Sequence, residues 1–133
     1  MARLPRRPLV YDAGALIAAE SRDRAIAVLH SRAIERGRVA VVPSPVLAQV
    51  WRGGGARQAS LAFLLRGCTI DAPGEQVAKF AGTLLGRTGT SDAVDAIVVA
   101  TAALAGAEIV TSDPGDLRAL ADASGRRIAL IEA

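Results

Sequence analysis

Short β-prone runs with almost no polar alternation, separated by helical patterns, constrain this chain more than any other feature of its sequence. Residues 9–11, 39–42, 68–70, 108–111 and 128–131 form such runs. Most are apolar throughout, which predicts strands buried on both faces and not the alternating type of a half-wet sheet. Between them the apolar spacing predicts helices over 13–34 with a break near Ser21, then over 45–52, 57–65, 74–85, 92–104 and 114–123. Strands that alternate with helices imply right-handed crossovers and a mostly parallel sheet covered on both sides. The expected fold class is therefore α/β, a three-layer α/β/α arrangement.

Gly37, Pro43, Gly53-Gly54-Gly55, Gly67, Gly86 and Gly125 fall at the joins, and no repeat or long linker divides the chain. One domain over residues 1–133 is expected. A hydrophobic share of 51% against 22% charged residues is ample for a closed core and excludes disorder as the dominant state. The only aromatic residues are Tyr11, Trp51, Phe63 and Phe80, which argues against a module that stacks bases. A lone Cys68 and a lone His30 exclude an internal disulfide and a structural zinc site, so any metal here is held by oxygen.

Arg3, Arg6 and Arg7 precede an apolar stretch, but Pro5, Pro8 and Asp12 interrupt it and Glu20 closes it. This reads as a cytoplasmic start and not as an export signal. The most apolar later stretch, 96–107, is well short of the about 20 residues that a membrane span needs.

In a parallel sheet, ligands sit outside the carboxyl ends of the strands, where helix N-termini point their amides outward. Asp12 directly follows the first run and Asp113 follows the fourth by one residue, so both belong to that edge. Asp92 and Asp95 open the helix that leads into the fourth run. Their i, i+3 spacing puts both carboxylates on one helix face, as does that of Asp113 and Asp116. Five acids from three segments thus aim at one rim. Like charges at this spacing cost about 0.2–0.5 kcal/mol per pair, which a helix dipole offsets, but a third charged segment calls for a cation. Magnesium and manganese suit carboxylate and water ligands.

The chain carries 13 acids and 16 basic residues, so setting these five aside leaves eight acids and a balance of +8 on the remainder. An acidic pocket in a basic body fits a metal-dependent enzyme acting on phosphodiesters. Singly, Asp12 reads as a turn, Asp92 as a helix cap, and Ser112-Asp113-Pro114 as a cap followed by proline at the first helical position. Together on one edge they read as ligands.

The pieces Val10-Tyr11-Asp12-Ala13-Gly14-Ala15-Leu16-Ile17, Val46-Leu47-Ala48-Gln49-Val50-Trp51-Arg52, Ser91-Asp92-Ala93-Val94-Asp95-Ala96-Ile97-Val98-Val99-Ala100 and Thr111-Ser112-Asp113-Pro114-Gly115-Asp116-Leu117 resemble, in order, a PIN domain. More narrowly they resemble the VapC toxins of bacterial type II toxin–antitoxin pairs. The resemblance implies a ribonuclease that uses Mg²⁺ or Mn²⁺ to direct water at an RNA phosphodiester. It implies metal-site roles for Asp12, Asp95 and Asp113, with Asp92 and Asp116 beside them and Thr111 supporting the last carboxylate. It also implies a homodimer silenced by a small VapB-like antitoxin whose C-terminal segment lies over the active site. Gln49 departs from the pattern, standing where the family usually carries glutamate. An amide brings an oxygen but no charge and cannot act as a base. Weaker metal binding or a site that uses fewer metals is expected, and the alternative is a catalytically weak or inactive PIN-like module that binds RNA or protein.

Arg52, three residues after Gln49, reads equally as a partner for a site carboxylate or RNA phosphate and as a solvated helix end. Gly53-Gly54-Gly55 reads as a flexible loop, Trp51 and Phe63 as core or dimer residues, His30 as a surface helix residue, and Cys68 as a small apolar residue opening a buried strand. Arg22, Arg24, Arg32, Arg36 and Arg38 read as a solvated basic face, with RNA backbone contact as the functional alternative. A phosphoacceptor receiver needs a late lysine, whereas the only lysine is Lys79. A dehalogenase-type phosphatase needs Asp-x-Asp after the first strand, and a dinucleotide site needs Gly-x-Gly-x-x-Gly. None of these is present.

Overall fold

The computed structural model describes residues 6–133, so Arg3 and Pro5 lie outside the described residues. Five strands, β1 (Leu9–Tyr11), β2 (Ala40–Pro43), β3 (Cys68–Asp71), β4 (Glu108–Thr111) and β5 (Leu130–Glu132), form one sheet in the order β3-β2-β1-β4-β5. Every pairing is parallel. The helices among the described residues are α1 (Ala13–Glu20), α2 (Arg24–Glu35), α3 (Ser44–Val50), α4 (Ala59–Leu65), α5 (Glu75–Thr88), α6 (Ala93–Ala105) and α7 (Pro114–Ala123), with a short 3-10 turn at Ala56–Gln58.

The expected break in the first helical stretch is real. Arg22 takes a left-handed φ of 61° and Asp23 then caps α2, accepting from Ala25 N at 2.7 Å.

Strand order fixes the layers. The connections from β1 to β2 and from β2 to β3 step in one direction, so right-handed crossovers put α1–α4 on one face. The connection from β3 returns past β1 to β4 and reverses direction, which puts α5, α6 and α7 on the other. Packing follows this division: α1 meets α3 and α4, while α5 meets α6 and α7. Helix α6 is buried from Val98 to Ala103, and its sequence is apolar nearly all round because sheet and helices enclose it. The order reverses between β1 and β4, which opens a crevice at their carboxyl ends.

Burial on both faces holds for β1, β2 and β4 but fails for the edge strands. β3 is exposed from Thr69 to Asp71 and Cys68 is only half-buried, because an edge strand has one neighbour and here little helix cover. Burial still pushes the Cys68 thiol up to about 12, so it stays protonated. His30 is half-buried and not a plain surface residue: its Nδ1 lies 2.7 Å from the hydroxyl of the fully buried Tyr11, which needs a polar partner. Phe63, at 74% exposure, and Trp51, at 38%, stand outside the core.

Candidate active site

The five aspartates occupy the N-termini of three helices. Asp12 caps α1 and its Oδ1 accepts from Ala15 N at 2.9 Å. Asp92 caps α6, accepting from Asp95 N at 3.0 Å, and Asp113 caps α7, accepting from Gly115 N at 3.1 Å. Asp95 and Asp116 sit in the first turns of α6 and α7. The capping reading is thus correct for three of them, yet each of these bonds uses one oxygen of a carboxylate that has two.

Register explains why two of the segments meet. Tyr11 pairs with Val110, so the next residues along the strands, Asp12 and Thr111, are neighbours, and Asp12 N donates to Val110 O at 3.2 Å. Thr111 is buried; its hydroxyl accepts from Asp113 N at 3.0 Å and lowers the pKa of the neighbouring Asp12 carboxylate. Gly14 allows the close approach of α1 to the β4–α7 loop, because a Cβ there would overlap Ser112 Oγ and stand 3.3 Å from Asp12 Oδ1.

Electrostatics brings in the third segment. Burial first, and then the charge of Asp113, raise the pKa of Asp12, while the Thr111 hydroxyl and the amides of Ala15 and Gly14 hold it down. Asp95 is pushed up to about 6, first by burial and then by Asp92, with smaller contributions from Asp12 and Asp116. It therefore feels one charge from each of the other two segments. Among the described residues no three acidic, histidine or cysteine side chains close into a ready coordination shell. The acids share a field, and every donor in it is a carboxylate or hydroxyl oxygen, the chemistry of a hard divalent cation.

Arg52 does not pair with a site carboxylate. Its Nη1 donates to Trp51 O at 2.7 Å and Ala48 O at 3.3 Å, serving the carbonyls that the end of α3 leaves unbonded. Gln49 is exposed on α3 and among the described residues forms no side-chain hydrogen bond to the five acids. The glycine loop is held in place, because the buried Gln58 accepts from Arg52 N and Gly54 N and donates to Glu20 Oε2 at 2.6 Å and Val50 O at 3.0 Å. No sequence signal marks Gln58 for this role, and Gly14 is distinguished only by its place two residues after Asp12.

A family model for the PIN domain matches residues 9–123, a span containing all three acid-bearing segments. The chain belongs to the PIN domain family. PIN domains are typically nucleases, so membership supports a hydrolase role. No curated protein matches this PIN domain in sequence. Among solved structures it shares its fold with VapBC2 from Rickettsia felis bound to a promoter DNA fragment, with TM-score 0.74, 14% identity and coverage of 94% of this chain and 98% of that one. It is also similar to a toxin–antitoxin complex from Klebsiella pneumoniae (TM-score 0.64, 21% identity, 81% and 88% coverage). FitAcB from Neisseria gonorrhoeae gives TM-score 0.64 at 20% identity, with 93% and 96% coverage.

Proposed function

We propose that this PIN domain is a metal-dependent endoribonuclease and the toxin of a VapBC-type pair, working in the cytoplasm as a single-domain homodimer under the control of a VapB-like antitoxin. The observation that carries the reading is that helix N-termini bearing Asp12, Asp92 with Asp95, and Asp113 with Asp116 all lie within the span matched by the PIN family model. A protein has little reason to gather such charge unless a cation offsets it. Asp12, Asp95 and Asp113 would hold Mg²⁺ or Mn²⁺, which when bound supplies positive charge against the phosphodiester and lowers the pKa of water.

The chain's own residues prepare that chemistry. The Ala15 amide holds Oδ1 of the Asp12 carboxylate at 2.9 Å, and its second oxygen makes no such cap bond. Asp92 shapes the first turn of α6 and so orients Asp95. Asp116 adds negative charge at the rim. Toxin–antitoxin complexes among the fold relatives support the antitoxin partner.

Gln49, in place of a glutamate, favours one second reading: a PIN-like module that binds RNA or protein with weak or no catalysis. RNA cleavage in Mg²⁺ or Mn²⁺, with Asp113→Asn and EDTA as controls, separates the two. Cleavage abolished by both controls is expected. Cleavage that survives both would come from a contaminant and remove the enzyme reading.

A further inference from the structure

The basic residues of this chain are not spread evenly around the acid rim. All five strands run parallel, so every strand begins on the edge opposite the aspartates. Arg7 precedes β1, Arg36 and Arg38 precede β2, Arg66 precedes β3, and Arg126 and Arg127 precede β5. Only β4 enters with an acid, Glu108, and Arg38 neutralises it at 2.7 Å. The strand ends carry Asp12, Asp71, Asp113 and Glu132 instead. The sheet is thus charged oppositely at its two edges.

Two of these arginines have structural work. Arg38 binds Glu108 and donates to Arg7 O at 2.9 Å, and Arg126 donates to Ala103 O at 3.3 Å near the end of α6. Arg7, Arg36, Arg66 and Arg127 are exposed, and among the described residues they form no salt bridge. The edge spans four strand gaps, about 19 Å, long enough to meet several successive phosphates of one nucleic-acid strand. A recess of about 370 Å³ lined by Arg7, Arg126 and Arg127 flanks it on one face, and one of about 340 Å³ lined by Arg32, Arg36 and Arg38 flanks it on the other. The contact between Arg38 and Arg7 joins the two.

We infer that this arginine edge is a binding surface for the phosphate backbone of RNA, separate from the acid rim and on the opposite side of the sheet. It deepens the nuclease reading by giving long RNA a second hold, but it does not depend on catalysis. Binding is therefore measured in EDTA, where cleavage plays no part.

The test compares wild type with the exposed-site variant Arg36→Gln/Arg66→Gln/Arg127→Gln, using a fluorescent 30-nucleotide polyuridine and anisotropy across a salt series. Losing three single-strand phosphate contacts should weaken binding at least about tenfold and make the plot of log affinity against log salt shallower by about 2. Unchanged thermal melting shows that the variant is folded. An unchanged affinity and slope would overturn the inference, as would failure of the wild type to bind polyuridine. Equal or tighter wild-type binding to polyglutamate or to phosphatidylglycerol vesicles would overturn it too, assigning the edge to an acidic protein or a membrane surface.

Discussion

The Thr111 hydroxyl at the end of β4 accepts the amide of Asp113 at 3.0 Å and lowers the pKa of the Asp12 carboxylate at the end of β1. One buried hydroxyl thus serves two of the three acid-bearing segments. Thr111→Val keeps the shape but leaves the Asp113 amide without its acceptor and takes the hydroxyl away from Asp12, which keeps the Ala15 amide. A loss of about 1–3 kcal/mol in denaturant unfolding is expected. Cation affinity by calorimetry should fall with it, and a fully stable variant with unchanged affinity would show that the hydroxyl positions nothing.

Asp95 gives a pH test with a definite sign. Its pKa is about 6 in the folded protein against about 3.9 when exposed, so between these values the folded state binds more protons than the unfolded chain. Its contribution to stability therefore falls as pH rises from about 4 to about 6. Asp95→Asn should raise the Tm of the metal-free protein above pH 6 and leave it nearly unchanged below pH 4. Burial lowers the His30 pKa and gives the opposite trend below its ordinary 6.5, but His30 is common to both proteins and cancels in the difference. A Tm difference independent of pH would contradict the charge origin of the shift.

A proton on Asp95 also competes with a cation. The apparent Mg²⁺ or Mn²⁺ affinity of the wild type should fall as pH drops below about 6. Titrations at pH 5 and pH 7.5 that give the same dissociation constant would separate Asp95 from the cation site.

Gln49 lies exposed on α3, where a carboxylate can be introduced without burying charge. Gln49→Glu should raise metal affinity or the rate of RNA cleavage. If neither rises, the missing charge is not what limits this site.

Gly14 stands where a Cβ would overlap Ser112 Oγ. Gly14→Ala should cost about 1–3 kcal/mol by overpacking between α1 and the β4–α7 loop. Adding Ser112→Ala removes the clashing atom and should recover part of that loss. A double variant no more stable than the single one would place the cost elsewhere.

Much of this architecture is legible in local pattern. Apolar runs of strand length, helical spacing between them and the alternation of the two foretell a parallel sheet between helix layers, because periodicity and crossover handedness act over short stretches of chain. The Asp residues at strand ends and first helical turns are legible for the same reason, their edge being set by chain direction alone. What the sequence could not determine depends on partners far apart in the chain. Strand order made β3 an edge and exposed most of what looked like a buried run. The Tyr11–β2–α2 packing drew His30 inward, and the unbonded carbonyls at the end of α3 claimed Arg52. Gln58 meets Glu20 at the end of α1, Val50 at the end of α3 and Gly54 in the loop only in the folded chain. Register between β1 and β4, fixed by side chains packing across the whole sheet, set Asp12 against Thr111, and it is this long-range term that no reading of local spacing contains.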